Sequence, residues 1–493
     1  PNTGYTFSSW SDGSTEQSRT ITVSQDLTLT ANFSANTYSV SLTANTGGSV
    51  SGAGTYEQGT QVTLTATPNT GYTFSSWSDG STEQSRTISV SQNLTLTANF
   101  EIQYIYLDSN GVTVKALPGA PIGYQETLNG TVYTIVDRQT LLSMVTGSNN
   151  TPAAQLLCNP FCNWGNAVTS YITDMSYLFV ENRGSTAPGI ASWDVSNVTN
   201  MEAMFYNTEP TLASSFNQPI GNWDVSSVTN MKWMFYNSTN FNQNINSWDV
   251  SSVTNMEAMF RHGSDFTTNF PNSSVSPSFN QPIGNWDVSN VTNMKEMFMG
   301  AQLFNQDIGD WDVSSVESTM YMFDFAASFN QDISSWDVSN VTSMHGMFRE
   351  TEFNQPIGNW DVSSVTRTDN MFYSNHSFNQ PIGNWDVSSV TFIEGMFHDA
   401  RAFNQPIGNW DVSNVTDFDR MFNTAHSFNQ DIGNWDISGA TTMGSMFSLA
   451  ISFNQDLSGW DLSSVSSNGC VNFSGGTNSW EASNKPDTSG CGG

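Results

Sequence analysis

Eleven aspartates that directly follow a tryptophan are the side chains of this chain best placed to do chemistry together. They are Asp194, Asp224, Asp249, Asp287, Asp312, Asp337, Asp361, Asp386, Asp411, Asp436 and Asp461. The Trp-Asp pairs follow one another at intervals of 30, 25, 38, 25, 25, 24, 25, 25, 25 and 25 residues. If successive units stack in register, neighbouring carboxylates lie about 4.8 Å apart. At about 5 Å two unit charges repel by roughly 0.8 kcal/mol in water, so the column needs compensation.

Two kinds of chemistry can compensate such a column. The first is a ladder of bound cations, for which Ca²⁺ is suited because it takes hard carboxylate oxygens. The candidate ligands are Asp224, Asp249, Asp287, Asp312, Asp337, Asp361, Asp386, Asp411 and Asp436. The second is an Asx turn, in which each Asp accepts a hydrogen bond from the N–H or the Ser hydroxyl two residues on. The sequence leaves both open, and the fold requires no cofactor.

A second set of candidate residues varies between repeats, at the tenth and thirteenth positions after each Trp. The aromatic members of this set are Trp233, Tyr236, Tyr321 and Tyr373. Outward aromatic rings near arginines can stack on sugars or anchor a protein partner. An insertion adds Phe266 and Phe270 on a loop, and loops on a rigid scaffold are favoured binding elements. We therefore expect a glycan or a protein as partner.

Composition argues against several other classes of function. Lys and Arg total 13 against 44 Asp and Glu, and the resulting net charge of -31 repels nucleic acid and anionic lipid. No stretch approaches the roughly 18 apolar residues that span a bilayer, so we expect no membrane insertion by this segment. The five His residues share no metal-binding spacing, and no Ser/His/Asp or Cys/His arrangement stands out. We therefore expect no enzyme and no catalytic residue.

The near-constant period predicts a solenoid, in which each unit buries its apolar face only against its neighbours. Within one unit, Trp223 and Val225 point to the same side, as in a short strand. Apolar residues then recur at helical spacing in Met231, Met234 and Phe235. This pattern predicts one short strand and one short helix in about 25 residues.

The recurring strings Phe-Asn-Gln, Trp-Asp-Val-Ser-Asn-Val-Thr-Asn-Met and Met-Phe resemble those of BspA-like leucine-rich-repeat surface proteins over residues 166–465. The resemblance implies a leucine-rich-repeat-like solenoid of about eleven or twelve coils at 161–469. Segment 101–160 then serves as its N-terminal cap and lead-in, and 470–493 as its C-terminal cap. The family implies secreted or cell-surface bacterial proteins that attach to host, matrix or other cells.

The first hundred residues carry a different repeat. Segments 1–33 and 68–100 agree at all but two positions, so 34–100 is one complete unit and 1–33 is the end of another. Alternating apolar and polar residues, with turns at Gly47-Gly48 and Asp79-Gly80, predict β-hairpins. The Gly71-Tyr72-x-Phe74 string and the final Ala98-Asn99-Phe100 resemble the divergent internalin-type B-repeat. That resemblance implies small all-β domains in tandem, forming a stalk.

The four cysteines fall as two pairs at the ends of the repeats, Cys158 with Cys162 and Cys470 with Cys491. This placement favours disulfide bonds that staple the caps in an oxidising, extracellular setting. A Cys-x3-Cys metal site is the alternative for the first pair, although no His or second pair lies nearby in the sequence.

These observations predict a non-enzymatic segment of a large secreted adhesin on the bacterial cell surface, presenting an acidic solenoid for attachment to glycans, proteins or other cells. One alternative is a structural stalk or filament element whose binding tip lies elsewhere. A solenoid enzyme acting on polysaccharides, such as a lyase, is the third interpretation. It requires a non-repeating cluster of acid, base and cation, which the sequence does not show.

Overall fold

In the computed structural model, which describes residues 1–146, 164–180, 189–208, 216–263 and 277–492, short β-strands make up most of the regular secondary structure. The strands are β1 Tyr5–Trp10, β2 Ala31–Ala35, β3 Thr37–Ala44, β4 Gly48–Ser51, β5 Gly54–Glu57, β6 Gln61–Pro68, β7 Tyr72–Trp77, β8 Ser85–Ser89, β9 Leu94–Ile102, β10 Ile105–Leu107, β11 Val114–Ala116, β12 Gln125–Leu128, β13 Thr131–Ile135 and β14 Ala167–Val168. The helices are α1 Arg138–Thr146 and the 3-10 helices Trp164–Asn166, Ile190–Ser192 and Ala482–Asn484.

The chain divides into two units. The first comprises Pro1–Tyr106 with Ala116–Pro121, and the second comprises Leu107–Lys115 with Ile122–Gly493. In the first unit, β5, β3, β9 and β7 form one sheet in that order, and β4, β6 and β8 form another. Strand β9 is parallel to β3 and antiparallel to β7. Alternate residues point inward, and Leu64, Trp77 and Ala98 are fully buried.

The repeats of the second unit contain neither the strand nor the helix that their periodicity predicts. From Thr169 to Glu481 the described residues hold no α-helix and no β-strand, and only the 3-10 helix Ile190–Ser192 interrupts the turns. The predicted leucine-rich-repeat-like solenoid, with one short strand and one short helix per repeat, is therefore wrong. Single parallel bridges instead join each repeat to the next, from Asp174 to Thr442. We call this arrangement the repeat stack.

Two tandem β-turns replace the predicted helix. In the first, the Met234 N–H donates to the Met231 carbonyl at 3.1 Å, and the third residue, Trp233, has a positive φ of 58°. The second turn starts at Phe235 and has Asn237 at the same place, with a φ of 53°. Inward residues of two such turns recur at intervals of three and four, which is also the spacing of one helix face. The sequence pattern therefore could not distinguish the two.

The backbone hydrogen bonds show why these turns are not a helix. A helical N–H would bond the carbonyl four residues earlier. Here the N–H groups of Met231 and Phe235 donate to Asn255 and Met259 of the following repeat, at 3.0 and 2.9 Å. Because the same pattern recurs along the chain, the turns of each repeat depend on the next repeat for their polar backbone groups.

A continuous apolar interior runs through the repeat stack. The repeat tryptophans are between 0 and 6% exposed, and neighbouring indoles such as Trp286 and Trp311 lie parallel with centroids 6.3 Å apart. From Trp223 to Trp435 the indole N–H of each repeat tryptophan donates to an Ile carbonyl of the preceding repeat, as when Trp248 donates to Ile220 at 3.1 Å, whereas the buried indole N–H of Trp460 has no acceptor among the described residues. Burial of one Phe or Met side chain stabilises a fold by roughly 1.5–3 kcal/mol. The recurrent Trp, Phe and Met residues thus hold the stack together.

Different structures close the two ends of this interior. At the N-terminal end, β12, β13 and β14 form a small sheet, and Leu141 and Met144 of α1 join the same core. At the C-terminal end, the Trp480 ring stands at 90° to Phe453 with centroids 4.8 Å apart, which ends the parallel stacking. A disulfide bond joins Cys470 to Cys491, and the Cys470 N–H donates to the Cys491 carbonyl at 3.0 Å. The tail thereby takes the place of a further repeat.

Candidate interaction surface

The Trp-Asp aspartates form a column of Asx turns along the repeat stack. In the unit of Asp224, the carboxylate Oδ1 accepts the Ser226 N–H at 3.2 Å and the Ser226 hydroxyl at 2.6 Å. The same two bonds recur in the repeats of Asp249, Asp337 and Asp386, with hydroxyl distances of 2.6 Å. The Asx-turn interpretation of the column is confirmed.

These hydrogen bonds favour the ionised carboxylate at several positions of the column. The hydroxyl and N–H of the serine two residues on lower the pKa of Asp249, Asp312, Asp361 and Asp411 below the usual aspartate value. Repulsion from the neighbouring Asp287 raises the pKa of Asp312, but it is the smallest contribution there. Local hydrogen bonding therefore outweighs repulsion between neighbouring carboxylates.

No cation is needed to satisfy the Oδ1 atoms of this column. Throughout the described segments, no group of three or more His, Cys, Asp or Glu side chains lies close enough together to hold a metal ion. Calcium binding by Asp224, Asp249, Asp287, Asp312, Asp337, Asp361, Asp386, Asp411 and Asp436 stays a prediction.

The Phe-Asn-Gln segments form a second column, built from side-chain amides. The Asn217 Oδ1 accepts the backbone N–H of Asn242 at 3.0 Å and the Gln243 Nε2 at 2.9 Å, both from the next repeat. The same pair of bonds links Asn404 to Asn429 and Gln430. These amides hold neighbouring repeats in register, so their conservation along the chain has a structural cause.

The side chains that differ between repeats lie at the seventh, ninth, tenth, thirteenth and fourteenth positions after each Trp. We call this surface the variable face. Ion pairs connect neighbouring repeats across it. They include Lys232 with Glu257 at 3.1 Å, Arg261 with Glu296, Arg349 with Asp324 at 3.5 Å, and Arg420 with Glu394 at 3.6 Å. Among the described residues, no such ion pair involves the Trp-Asp column.

The structure places the four described partner-binding candidates on the variable face but in different environments. Trp233 is half-buried with the Lys232 ammonium 4.3 Å from its ring centroid, whereas Tyr236 is only 9% exposed. Tyr321 is half-buried and hydrogen-bonded to His345, and Tyr373 stacks on a histidine ring of the next repeat. Phe266, Phe270, Cys158 and Cys162 lie outside the described residues.

Sequence reasoning missed a fully buried carboxylate at the thirteenth position of the variable face. Asp324 has no exposed surface, and neither of its carboxylate oxygens accepts a hydrogen bond from a described residue. Desolvation raises the pKa of Asp324 to about 8, although the Arg349 guanidinium 3.5 Å away opposes the shift. Two other repeats carry the uncharged residues Met299 and Asn423 at this position. A comparison of the repeats would therefore have shown that Asp324 is an acidic exception.

Sequence reasoning also missed an aromatic residue at the seventh position after Trp. Most described repeats have Asn, Ser or Thr there, and Asn230 uses its Oδ1 to accept the Lys232 N–H at 3.1 Å. Phe392 interrupts this column, is 47% exposed, and has the Arg367 guanidinium 5.1 Å from its ring centroid. Comparing the repeats position by position would have found it.

Within the described segments, the α-helix has nine residues, and no helix is long and apolar enough to cross a membrane.

Two protein-family models match the chain. One is described as the divergent InlB B-repeat domain and matches residues 1–37 and 38–103. The other is described as the Mycoplasma protein of unknown function, DUF285, and matches residues 154–273, 269–383, 326–417 and 370–482. No match was found among curated proteins or solved structures.

The matches confirm the tandem repeats and the internalin-type B-repeat, and they identify repeat domains typical of surface proteins. They do not confirm the BspA-like leucine-rich-repeat resemblance. The DUF285 segments together cover more than half of the 493 residues. The chain therefore belongs to the family described as Mycoplasma protein of unknown function, DUF285.

Proposed function

We propose that this chain is a non-enzymatic attachment segment of a secreted bacterial surface protein. Its variable face contacts a glycan or protein of host, matrix or other cells, and its β repeats act as a spacer. Calcium binding by the acidic column is not required for this role.

One observation carries the proposal. Side chains that differ between repeats are collected on one face, over an interior whose Trp, Phe and Met residues hardly change. An interior of this kind holds outer side chains at fixed spacing, and stacked repeats use such surfaces for binding. Half-buried rings such as Trp233 and Tyr373, each beside a cation, are of the type that dominates binding energies.

The charge distribution supports the same function. Ion pairs between neighbouring repeats neutralise several charges of the variable face, so a partner there meets aromatic rings and paired charges beside carboxylates such as Asp417. Hydrogen bonds lower the pKa of Asp249 and Asp312 in the Trp-Asp column, and a row of acidic side chains raises the association rate of cationic partners. We infer that the column steers partners and that the variable face holds them.

The test is retention on a surface coated with the full chain. We expect cells or matrix glycoproteins to be retained in a saturable manner by the folded chain. Trp233→Asn and Tyr373→Asn should reduce retention, since they remove rings from the variable face. Each substitution installs a residue that another repeat carries at the same position, Asn370 or Asn423, so the fold should tolerate it.

The matched control is Asp312→Asn, which changes the acidic column and leaves the variable face intact. It should slow association at low salt with little effect on retention once bound. Absence of retention at every coating density would refute attachment and favour a stalk whose tip lies elsewhere. Release of unsaturated sugar from an acidic polysaccharide would favour a lyase.

A further inference from the structure

Phe392 is exposed and lies at a position where the side chain of other repeats accepts a backbone hydrogen bond. In the repeats that carry Asn, the side chain accepts the N–H two residues on and closes a turn, as Asn255 does for Glu257 at 3.0 Å. Phenylalanine has no acceptor, so this hydrogen bond is lost at Phe392. Its ring nevertheless remains 47% exposed rather than joining the core. The lost hydrogen bond and the exposed ring set Phe392 apart from the equivalent Asn residues of other repeats.

The ring is not isolated on the surface. The Arg367 guanidinium lies 5.1 Å from its centroid, and Asp369 fixes that guanidinium with two hydrogen bonds of 3.1 and 2.8 Å. Arg367 is thus oriented before any partner arrives, which lowers the entropic cost of using it in binding. Arginine and aromatic residues are also the types enriched at the energetic centres of protein interfaces.

Carboxylates form the rim around this pair. Asp417 follows Phe392 in the same column, and Glu394 and Asp419 lie at the ninth position of their repeats. Burial, and then repulsion from Asp417, raise the pKa of Glu394, while burial and repulsion from Asp419 raise the pKa of Asp417. Arg420 pairs with Glu394 at 3.6 Å, whereas no ion pair of Asp417 is found among the described residues, so an additional positive charge would stabilise the Asp417 carboxylate.

We propose that Phe392 and Arg367, with the Asp417 rim, form a docking site for a polypeptide segment that presents a lysine or arginine beside an apolar side chain. The apolar side chain covers the exposed ring, and the cation lies among the carboxylates. This inference rests on the proposed attachment function and names the partner class for one part of the variable face.

Two observations favour a cationic polypeptide over other occupants. A metal ion is disfavoured because no group of three or more His, Cys, Asp or Glu side chains in the described part of the chain has an arrangement that could hold one. A neutral glycan would cover the ring but would bring no positive charge to Asp417. A polypeptide with a basic side chain beside an apolar one can both cover the ring and place a positive charge next to the carboxylates. The net charge of -31 favours its approach.

The test measures binding of fluorescent peptides to the full chain by anisotropy. The probe is a peptide of alternating lysine and leucine, compared with peptides in which glutamate replaces lysine or glycine replaces leucine. The lysine-leucine peptide should bind most tightly. Phe392→Asn should weaken it by about tenfold, as expected for loss of an aromatic anchor. Asp417→Asn should also weaken it and reduce its salt dependence.

The matched control is Ser318→Asn, which installs the common residue of the same column two repeats before Arg367 and should leave binding unchanged. Equal affinity of wild type and Phe392→Asn overturns the site, as does equal binding of the glutamate peptide. Phe392→Asn is also applied to the cell-retention assay. If surfaces coated with wild type and with Phe392→Asn retain cells equally, this site is refuted but the attachment function is not. If neither surface retains cells, the attachment function itself is refuted.

Discussion

Replacing the buried Asp324 with Asn should change how the stability of the chain depends on pH. The side chain has no exposed surface, and its nearest opposite charge is Arg349 at 3.5 Å. Asparagine has nearly the same shape and cannot ionise, and Asn423 already occupies this position in another repeat. The substitution therefore isolates the ionisation of one carboxylate with little change in packing.

The pKa of Asp324 sets the size of the effect. Desolvation raises it from 3.8 to about 8 in the folded chain. Because the folded state holds the proton more tightly, unfolding releases it between about pH 4 and pH 8, and the free energy of unfolding falls as pH rises. Each unit of pKa difference corresponds to about 1.4 kcal/mol, so the whole window amounts to up to about 6 kcal/mol.

Other groups make the wild-type curve alone hard to interpret. Burial lowers the pKa of His262 to about 3, so its contribution to stability increases as pH rises from 3 towards 6.5 and opposes that of Asp324. The useful quantity is thus the difference between wild type and Asp324→Asn, from urea unfolding at pH 4.5 to 8.5. As pH rises, the free energy of unfolding of Asp324→Asn relative to wild type should increase by about 1.4 kcal/mol per pH unit and level off near pH 8.

Asp312→Asn is the matched control, because the exposed Asp312 has a lowered pKa and loses its contribution only as pH falls below about 4. Its difference curve should be flat from pH 4.5 to 8.5. A flat curve for Asp324→Asn as well would refute the reasoning, since it would mean that the Asp324 carboxylate stays ionised in the folded chain over the whole range.

Three further predictions concern the cap, the acidic column and a close contact. Replacing Cys470 and Cys491 with Ser should lower the free energy of unfolding by roughly 3 kcal/mol, because the bond closes a loop with a sequence separation of 21; an unchanged urea midpoint would contradict this. Chelator or added Ca²⁺ should leave the melting temperature unchanged, since serine donors already satisfy the Trp-Asp column; a shift would establish the cation ladder. Gly346→Ala should cost about 1–3 kcal/mol in urea unfolding, because its Cβ would lie 2.4 Å from the Tyr321 ring and its φ of +60° disfavours any side chain; Gly346→Ala should therefore cost less in a Tyr321→Ala background, where only the backbone strain remains, and an equal cost in both backgrounds would contradict the clash.

The sequence was sufficient to predict structural features that recur in every repeat. The burial of the tryptophans follows from residue types at constant spacing, and the Asp-x-Ser pattern offered the Asx turn as one of two ways to compensate the aspartate column. Trp223 stacks on Trp193 of the preceding repeat and Asn217 accepts a hydrogen bond from Asn242 of the next, whereas the Asx turn of Asp224 lies within its own repeat. Periodicity reveals such contacts because one chain supplies many copies of them.

Local conformation within a repeat could not be predicted in this way. Met231, Met234 and Phe235 have helical spacing, yet Trp233 between them has a φ of 58°, which no α-helix allows. Tandem turns and a helix bury the same positions, so apolar periodicity alone does not separate them. The deciding factor is the set of hydrogen bonds to the next repeat, which depends on tertiary contacts.

The candidate site was predicted only in part. Sequence reasoning selected Trp233 and Tyr373 because they are aromatic residues at positions that vary, but it could not show that Tyr236 is nearly buried. It overlooked Phe392 because that residue lies in a column that is otherwise polar. Candidate binding residues in a repeat protein are thus found by aligning equivalent positions of the repeats. Those that replace the common residue type and lose its structural contact are the ones to examine.

Acrylamide quenching of tryptophan fluorescence tests most directly whether the repeats share one dry interior. Acrylamide is uncharged, so the net charge of -31 does not keep it away. The repeat tryptophans, from Trp193 to Trp460, are at most 6% exposed, so most of the emission should be blue-shifted and poorly quenched until urea unfolds the stack. Emission like that of free indole, with full quenching in the native chain, would contradict the account.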